Sequence, residues 1–145
     1  MQLLHSPITK RFMYGFWNLR HKLIKEVGLK IQDAYGVDMA EMFLLQHVSE
    51  KDVSPSDLAE ILLIPAHGIS RKLENLQSLG LLERTLNPND ARRRVLSLTD
   101  QGREVLRGSL ALMDAELHIL LSALDETRLE VFVKSLERLA GVDSS

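Results

Sequence analysis

Apolar residues recur near the start of the chain at steps of three and four. Ile8, Phe12, Phe16, Leu19, Leu23, Val27 and Ile31 share one stripe, the pattern of a helix with one buried side. This predicts a helix over about 7–35, loosened at Gly15 and Gly28, because glycine weakens a helix interior, and stopped at Gly36. Asp38 and Glu41 then have the spacing of a capping box, so a second helix is expected from 39 to about 49. Ser54-Pro55-Ser56-Asp57 is a further start signal: Ser54 can cap, Pro55 suits the first helical position, and Asp57 can reach back.

The helix it opens is short and carries Leu58, Ala59 and Leu62 before Pro65 interrupts it. A fourth helix is expected over about 66–79, with Ile69, Leu73 and Leu76 inward and Gly80 just past its end. The period then changes. Residues 81–85 are short and apolar, Asn87-Pro88-Asn89-Asp90 is dense in turn formers, and residues 94–98 alternate, which predicts a two-stranded hairpin. Thr99 can cap a fifth helix to about 123 through Val105, Leu110, Met113, Leu117 and Leu120. Asp125 can cap a sixth, with Leu129, Phe132, Val133, Leu136 and Leu139 on one side.

Two short helices joined by a tight turn and followed at once by a hairpin have the order of a winged helix-turn-helix, whose second helix enters a DNA major groove. His67, Ser70 and Arg71 lie early in that helix, opposite its apolar stripe, where base edges would be read. Gly68 leaves room for a close backbone approach, and the Ser54 end of the preceding helix can offer N–H groups to phosphates. The hairpin tip, Asp90-Ala91-Arg92-Arg93-Arg94, places guanidinium groups where they can reach an adjacent minor groove. Asp90 is positioned to orient the guanidinium of Arg92. As a bare pattern, three arginines read equally as solvated surface.

Composition and charge narrow the picture. The chain has 145 residues, 45% of them hydrophobic, with no cysteine and a formal charge of −2. This size and composition fit one domain with a real core and exclude a disulfide or cysteine–zinc framework. No apolar run approaches the ~20 residues of a membrane span, so a soluble cytoplasmic protein is expected. The charge is nevertheless patterned: residues 1–30 carry six basic and one acidic side chain, 31–65 one and seven, 66–94 six and three, and 95–145 five and nine. Alternating blocks are compatible with a local anion-binding face on an acidic body, and also with ordinary solvated faces. His5, His21, His47, His67 and His118 show no metal-ligand spacing, and no nucleophile–base set has a recognisable context. No metal, cofactor or catalytic group is therefore expected.

The wing residues carry a resemblance. Leu79-Gly80-Leu81-Leu82-Glu83-Arg84, then Asn87-Pro88-Asn89-Asp90-Ala91-Arg92, then Leu96-Ser97-Leu98-Thr99-Asp100-Gln101-Gly102 resembles the MarR family of bacterial regulators. Asp-x-Arg, followed six residues later by Leu-Thr-x-x-Gly, is a specific signature; it covers residues 38–105, and helix lengths and order cover the rest. The resemblance implies a homodimeric transcription regulator on a pseudo-palindromic site, usually a repressor relieved by a small ligand. It makes Arg92 the wing arginine, Asp90 its partner, and about 66–79 the recognition helix. Pro65-Ala66-His67-Gly68 departs from the usual helix start, which leaves the first residue of that helix open.

The expected chain is therefore a single mainly α unit with a small β-hairpin wing. It has a winged helix-turn-helix over 38–99, and long N- and C-terminal helices, 1–37 and 100–145, whose apolar stripes suit dimerisation. In the family, effectors sit between the dimer helices and the winged part. Trp17, Arg20 and His21 on the first helix, with Gln46 and His47 ending the second, are candidate contacts for an aromatic or phenolic acid. Trp17 reads equally as core, and Arg20 as a surface or interface charge. The alternative function is a winged-helix protein-interaction adaptor that does not bind DNA, against which Ser70, Arg71, Asp90 and Arg92 argue.

Overall fold

The computed structural model describes residues 6–142, with the backbone alone for residues 91, 93 and 94; His5 lies outside the described residues. The first helical run is continuous from residue 7 to residue 35 but changes pitch on the way. Helix α1 (Pro7–Lys22) passes into a π-helical segment (Leu23–Gly28) and then α2 (Leu29–Tyr35). The stripe explains the change: Leu19, Leu23, Val27 and Ile31 follow at steps of four, which outrun a 3.6-residue repeat. A wider i→i+5 turn, seen where Leu29 N–H donates to the Ile24 carbonyl, keeps Val27 and Ile31 facing the core. Gly15 causes no break, and Gly36 ends the run as expected.

Helix α3 (Met39–Glu50) opens with the expected capping box, Asp38 Oδ1 accepting from Glu41 N–H at 2.7 Å and Glu41 Oε1 from Asp38 N–H at 3.1 Å. Helix α4 (Pro55–Leu62) opens with another, between Ser54 and Asp57. It ends before Pro65 is reached, because Leu63 adopts a left-handed conformation, φ 54°, and turns the chain into α5 (Ala66–Ser78). Ile69, Leu73 and Leu76 are all fully buried, as their spacing predicts. They pack with Met42, Leu44 and Leu45 of α3, Leu58 of α4 and Leu106 of α6 (Asp100–Leu121) in one core cluster.

The hairpin is longer than its apolar pattern suggests. β1 (Leu82–Asn87) pairs antiparallel with β2 (Asp90–Leu98), from Leu82 opposite Leu98 to Leu86 opposite Arg94. Asn87 then faces Asp90, so residues 91–93 bulge without ladder partners, and strict alternation of faces is not carried through Arg92 to Arg94. Turn chemistry extends the pairing to the tip: Asn87 Oδ1 accepts from Asn89 N–H at 2.9 Å across Pro88.

The base of the hairpin is clasped to the end of α5. Gly80, at φ 71°, lets the chain turn out of that helix, and its carbonyl accepts from the Thr99 hydroxyl at 2.6 Å. Thr99 Oγ1 in turn accepts from Gly102 N–H at 3.0 Å, capping α6. A Cβ at Gly102 would stand 1.9 Å from the Leu81 carbonyl oxygen, so only glycine lets α6 start this close to the hairpin. The Leu-Thr-x-x-Gly signature is thus the joint between α5, the hairpin and α6.

The last helix, α7 (Glu126–Ala140), starts at the Asp125 cap and buries no residue. Neither does α1. The expected stripe on α7 is present but open: Phe132, Val133, Leu136 and Leu139 are all exposed. Among the described residues no helix is long and apolar enough to cross a membrane.

Leu63 is 89% exposed and left-handed, so its side chain contributes strain and little packing. Leu63→Gly should raise the unfolding free energy by roughly 0.5–1 kcal/mol: relief of ~1–2 kcal/mol of left-handed strain is partly offset by glycine's larger unfolded-state entropy. Urea denaturation checks it, and an unchanged or lower midpoint would contradict it.

Candidate nucleic-acid interface

Burial of Ile69, Leu73 and Leu76 turns the opposite side of α5 outward. His67, Ser70 and Arg71 are exposed there, as sequence spacing predicts. The helix starts at Ala66, which answers the question left open at Pro65. Pro65 is the N-cap and supplies no side-chain acceptor, so among the described residues no side chain caps the first turn. This end projects donors beside a positive helix pole.

Two residues at the helix starts also have local roles. A Cβ at Gly68 would stand 2.8 Å from Ile64 Cγ2, so the missing side chain serves packing against the turn. Ser54 is committed to its own capping box, its Oγ accepting from Asp57 N–H at 3.1 Å and its N–H donating to Asp57 Oδ2 at 2.9 Å. These two bonds occupy the Ser54 and Asp57 backbone N–H groups at the start of α4.

At the wing, Asp90 acts on Arg92 differently than its spacing suggests. Asp90 Oδ1 accepts from the Arg92 backbone N–H at 3.0 Å. It therefore shapes the bulge and leaves the exposed Arg92 guanidinium to solvent instead of pairing with it. The backbone of Arg94 lies opposite Leu86; its side chain is outside the described residues.

The expected effector contacts are not gathered in one place. A cleft of about 870 Å³ lies between α1, α3, the α4–α5 turn and α7, lined by Phe12, Phe16, Met39, Phe43, Leu62 and Leu136 among others. Of the five candidates only Arg20 reaches it. Trp17 is 63% exposed and follows Phe16 by one residue, about 100° around the helix, which turns it away from the cleft. It carries the Arg20 guanidinium 5.8 Å from its ring centroid, so it is neither core nor cleft wall. His21 is exposed, Gln46 donates to Glu50 at 3.2 Å, and His47 is half-buried near the end of α3. The cleft residues that sequence reasoning missed, Phe43, Leu62 and Ile64, read as ordinary core positions, and only the placing of α1, α3 and α7 around one cleft reveals them as a wall.

A helix-turn-helix whose second helix runs into an antiparallel hairpin defines a winged-helix protein. Within that class, residues 35–93 match the model of the MarR family. An uncharacterised HTH-type transcriptional regulator of Bacillus subtilis, YdgJ, is 34% identical over 86 residues. That match takes in 59% of this chain and 52% of the relative, so it spans about half of that relative's length. Among solved structures, FabT of Streptococcus pneumoniae in complex with DNA is similar with a TM-score of 0.77 at 21% identity, over 91% of this chain and 94% of that one. The Mycobacterium tuberculosis MarR family protein Rv2887, in complex with p-aminosalicylic acid, is similar with a TM-score of 0.70 at 22% identity, over 88% and 96%.

Proposed function

We propose that this chain is a homodimeric, sequence-specific DNA-binding repressor released by a small aromatic acid. The observation that carries the DNA reading is the pairing of two outward features on one clasped unit. His67, Ser70 and Arg71 stand on the exposed side of α5, and an exposed Arg92, without an ion-pair partner among the described residues, stands at the tip of the wing. A helix of this width fits the major groove, and an arginine held by a bulge suits the adjacent minor groove. The pneumococcal neighbour, which shares the fold and is in complex with DNA, supports the DNA-binding reading.

Dimerisation follows from the cost of wet apolar surface. Phe12, Phe16, Phe132, Leu136 and Leu139 line the mouth of the cleft and are exposed. At roughly 25 cal/mol per Å², covering them against a second copy is strongly favourable. A two-fold pair also presents two recognition helices to half-sites one helical turn apart. The inner cleft, near Met39, Phe43 and Ile64 with Arg20 at its edge, is where an aromatic carboxylate would lie. The mycobacterial neighbour's p-aminosalicylic acid is of that chemistry.

Arg92→Ala should weaken binding to the DNA flanking the protein's own gene by about tenfold or more and flatten the log K against log salt slope by about one unit. Gel shifts across a salt series check this, and a folded variant with unchanged affinity and slope would contradict the wing assignment. In sedimentation at micromolar concentration the full chain should run near twice its 16.4 kDa. A folded monomer would overturn the dimer. Titration with salicylate-like acids should release DNA and change the emission of Trp17, the sole tryptophan, because an anion drawing on Arg20 disturbs the guanidinium stacked on it. Arg20→Ala should blunt both signals, and no response up to millimolar acid would remove the ligand from the proposal.

A further inference from the structure

Two carboxylates at the start of α3 each serve two elements. Asp38 and Glu41 spend one oxygen apiece on the capping box. The second oxygen of each reaches the recognition helix: Asp38 Oδ2 accepts from Lys72 Nζ at 2.8 Å, and Glu41 Oε2 from Asn75 Nδ2 at 2.6 Å. Glu41 is only 6% exposed, so its charge is kept inside the protein by these donors. Lys72 and Asn75 are three residues apart, nearly one turn. They occupy the flank of α5 between the buried stripe of Ile69, Leu73 and Leu76 and the outward Arg71.

Apolar packing is non-directional and holds α5 down without choosing its roll about its own axis. Hydrogen bonds are directional, and two of them on one flank choose it. A buried carboxylate deprived of its donor bears the full desolvation penalty, so alternative rolls that break the Glu41–Asn75 bond are disfavoured. Both acceptors belong to the cap that follows Gly36 within five residues, so the roll is referenced to the junction where the long N-terminal helix ends.

We propose that Asp38, Glu41, Lys72 and Asn75 are positioning residues of the DNA-reading surface, setting the roll of α5 and with it the aim of Ser70 and Arg71. This rests on the DNA-binding reading above. Glu41 is the decisive position, because a residue this buried cannot itself touch DNA.

The test compares full-length Glu41→Met and Glu41→Gln. Two things are measured: the amide NMR signals of Ser70 and Arg71 in the DNA-free protein, and affinity for own-gene flanking DNA relative to random DNA of equal length across a salt series. Glu41→Met should shift both amides and lower the affinity ratio at least tenfold with an unchanged salt slope. Glu41→Gln, against which the Asn75 amide can turn and accept, should keep both amides in place and stay within threefold of wild type. If Glu41→Met does not fold, Asn75→Ala takes its place with the same expectation. Unmoved Ser70 and Arg71 signals in a folded variant would overturn the proposal, as would equal losses on both DNAs. If wild type shows no preference between the DNAs while the amides shift as stated, the DNA-binding reading fails and the roll assignment stands on the free-protein signals.

Discussion

Everything outward-facing in this molecule depends on the joint between α5, the hairpin and α6. Thr99 donates to the Gly80 carbonyl, its own Oγ1 receives Gly102 N–H, and the absent Cβ at residue 102 lets the Leu81 carbonyl approach. Three elements thereby meet within one hydrogen-bonded knot. Leu82, Leu96 and Leu98 are buried beneath it, which ties the base of the wing to the core that holds α5. The distance between an arginine at the wing tip and the exposed side of α5 becomes a property of the fold.

The body of α5 is held by different physics. The buried stripe supplies most of the free energy and little orientation. The polar contacts of Lys72 and Asn75 with the α3 cap supply orientation and little net free energy, since each exchanges a water hydrogen bond for a protein one. Strain sits in the turn between α4 and α5, where Leu63 takes a conformation that costs a non-glycine residue ~1–2 kcal/mol. The turn is tight because both helices must reach the same core.

The terminal helices obey a separate logic. In α1 and α7 no residue is buried, although their apolar stripes are as regular as that of α5. A stripe shows that a face is meant to be covered and says nothing about what covers it. The π-helical segment marks the border: before it the first helix is open on both sides, and beyond it Val27 and Ile31 enter the winged part's core.

Local chemistry made much of this legible in advance. Caps at Asp38, Ser54, Thr99 and Asp125, the stops at Gly36 and Gly80, and the inward set Ile69, Leu73 and Leu76 depend on neighbours within a turn or two of the helix. Sequence carries such terms directly. The outward set His67, Ser70 and Arg71 followed as their complement. Where the outcome depended on which atom meets which across the fold, residue types were not enough. Asp90 sits two residues before Arg92 whether it holds the guanidinium or the backbone amide, and only the bulge decides for the amide. Gly68 lacks a side chain whatever comes close to it, and only the turn geometry brings Ile64 there. Trp17 and Arg20 are neighbours on a helix, yet the phase of α1 against α7 sends one outward and the other to the cleft. Sequence by itself determined the elements, their ends and their buried faces, because those are set by short-range backbone and burial terms. Tertiary structure alone decided the partners of each polar group and the walls of the cleft, because those depend on contacts between residues far apart in the chain.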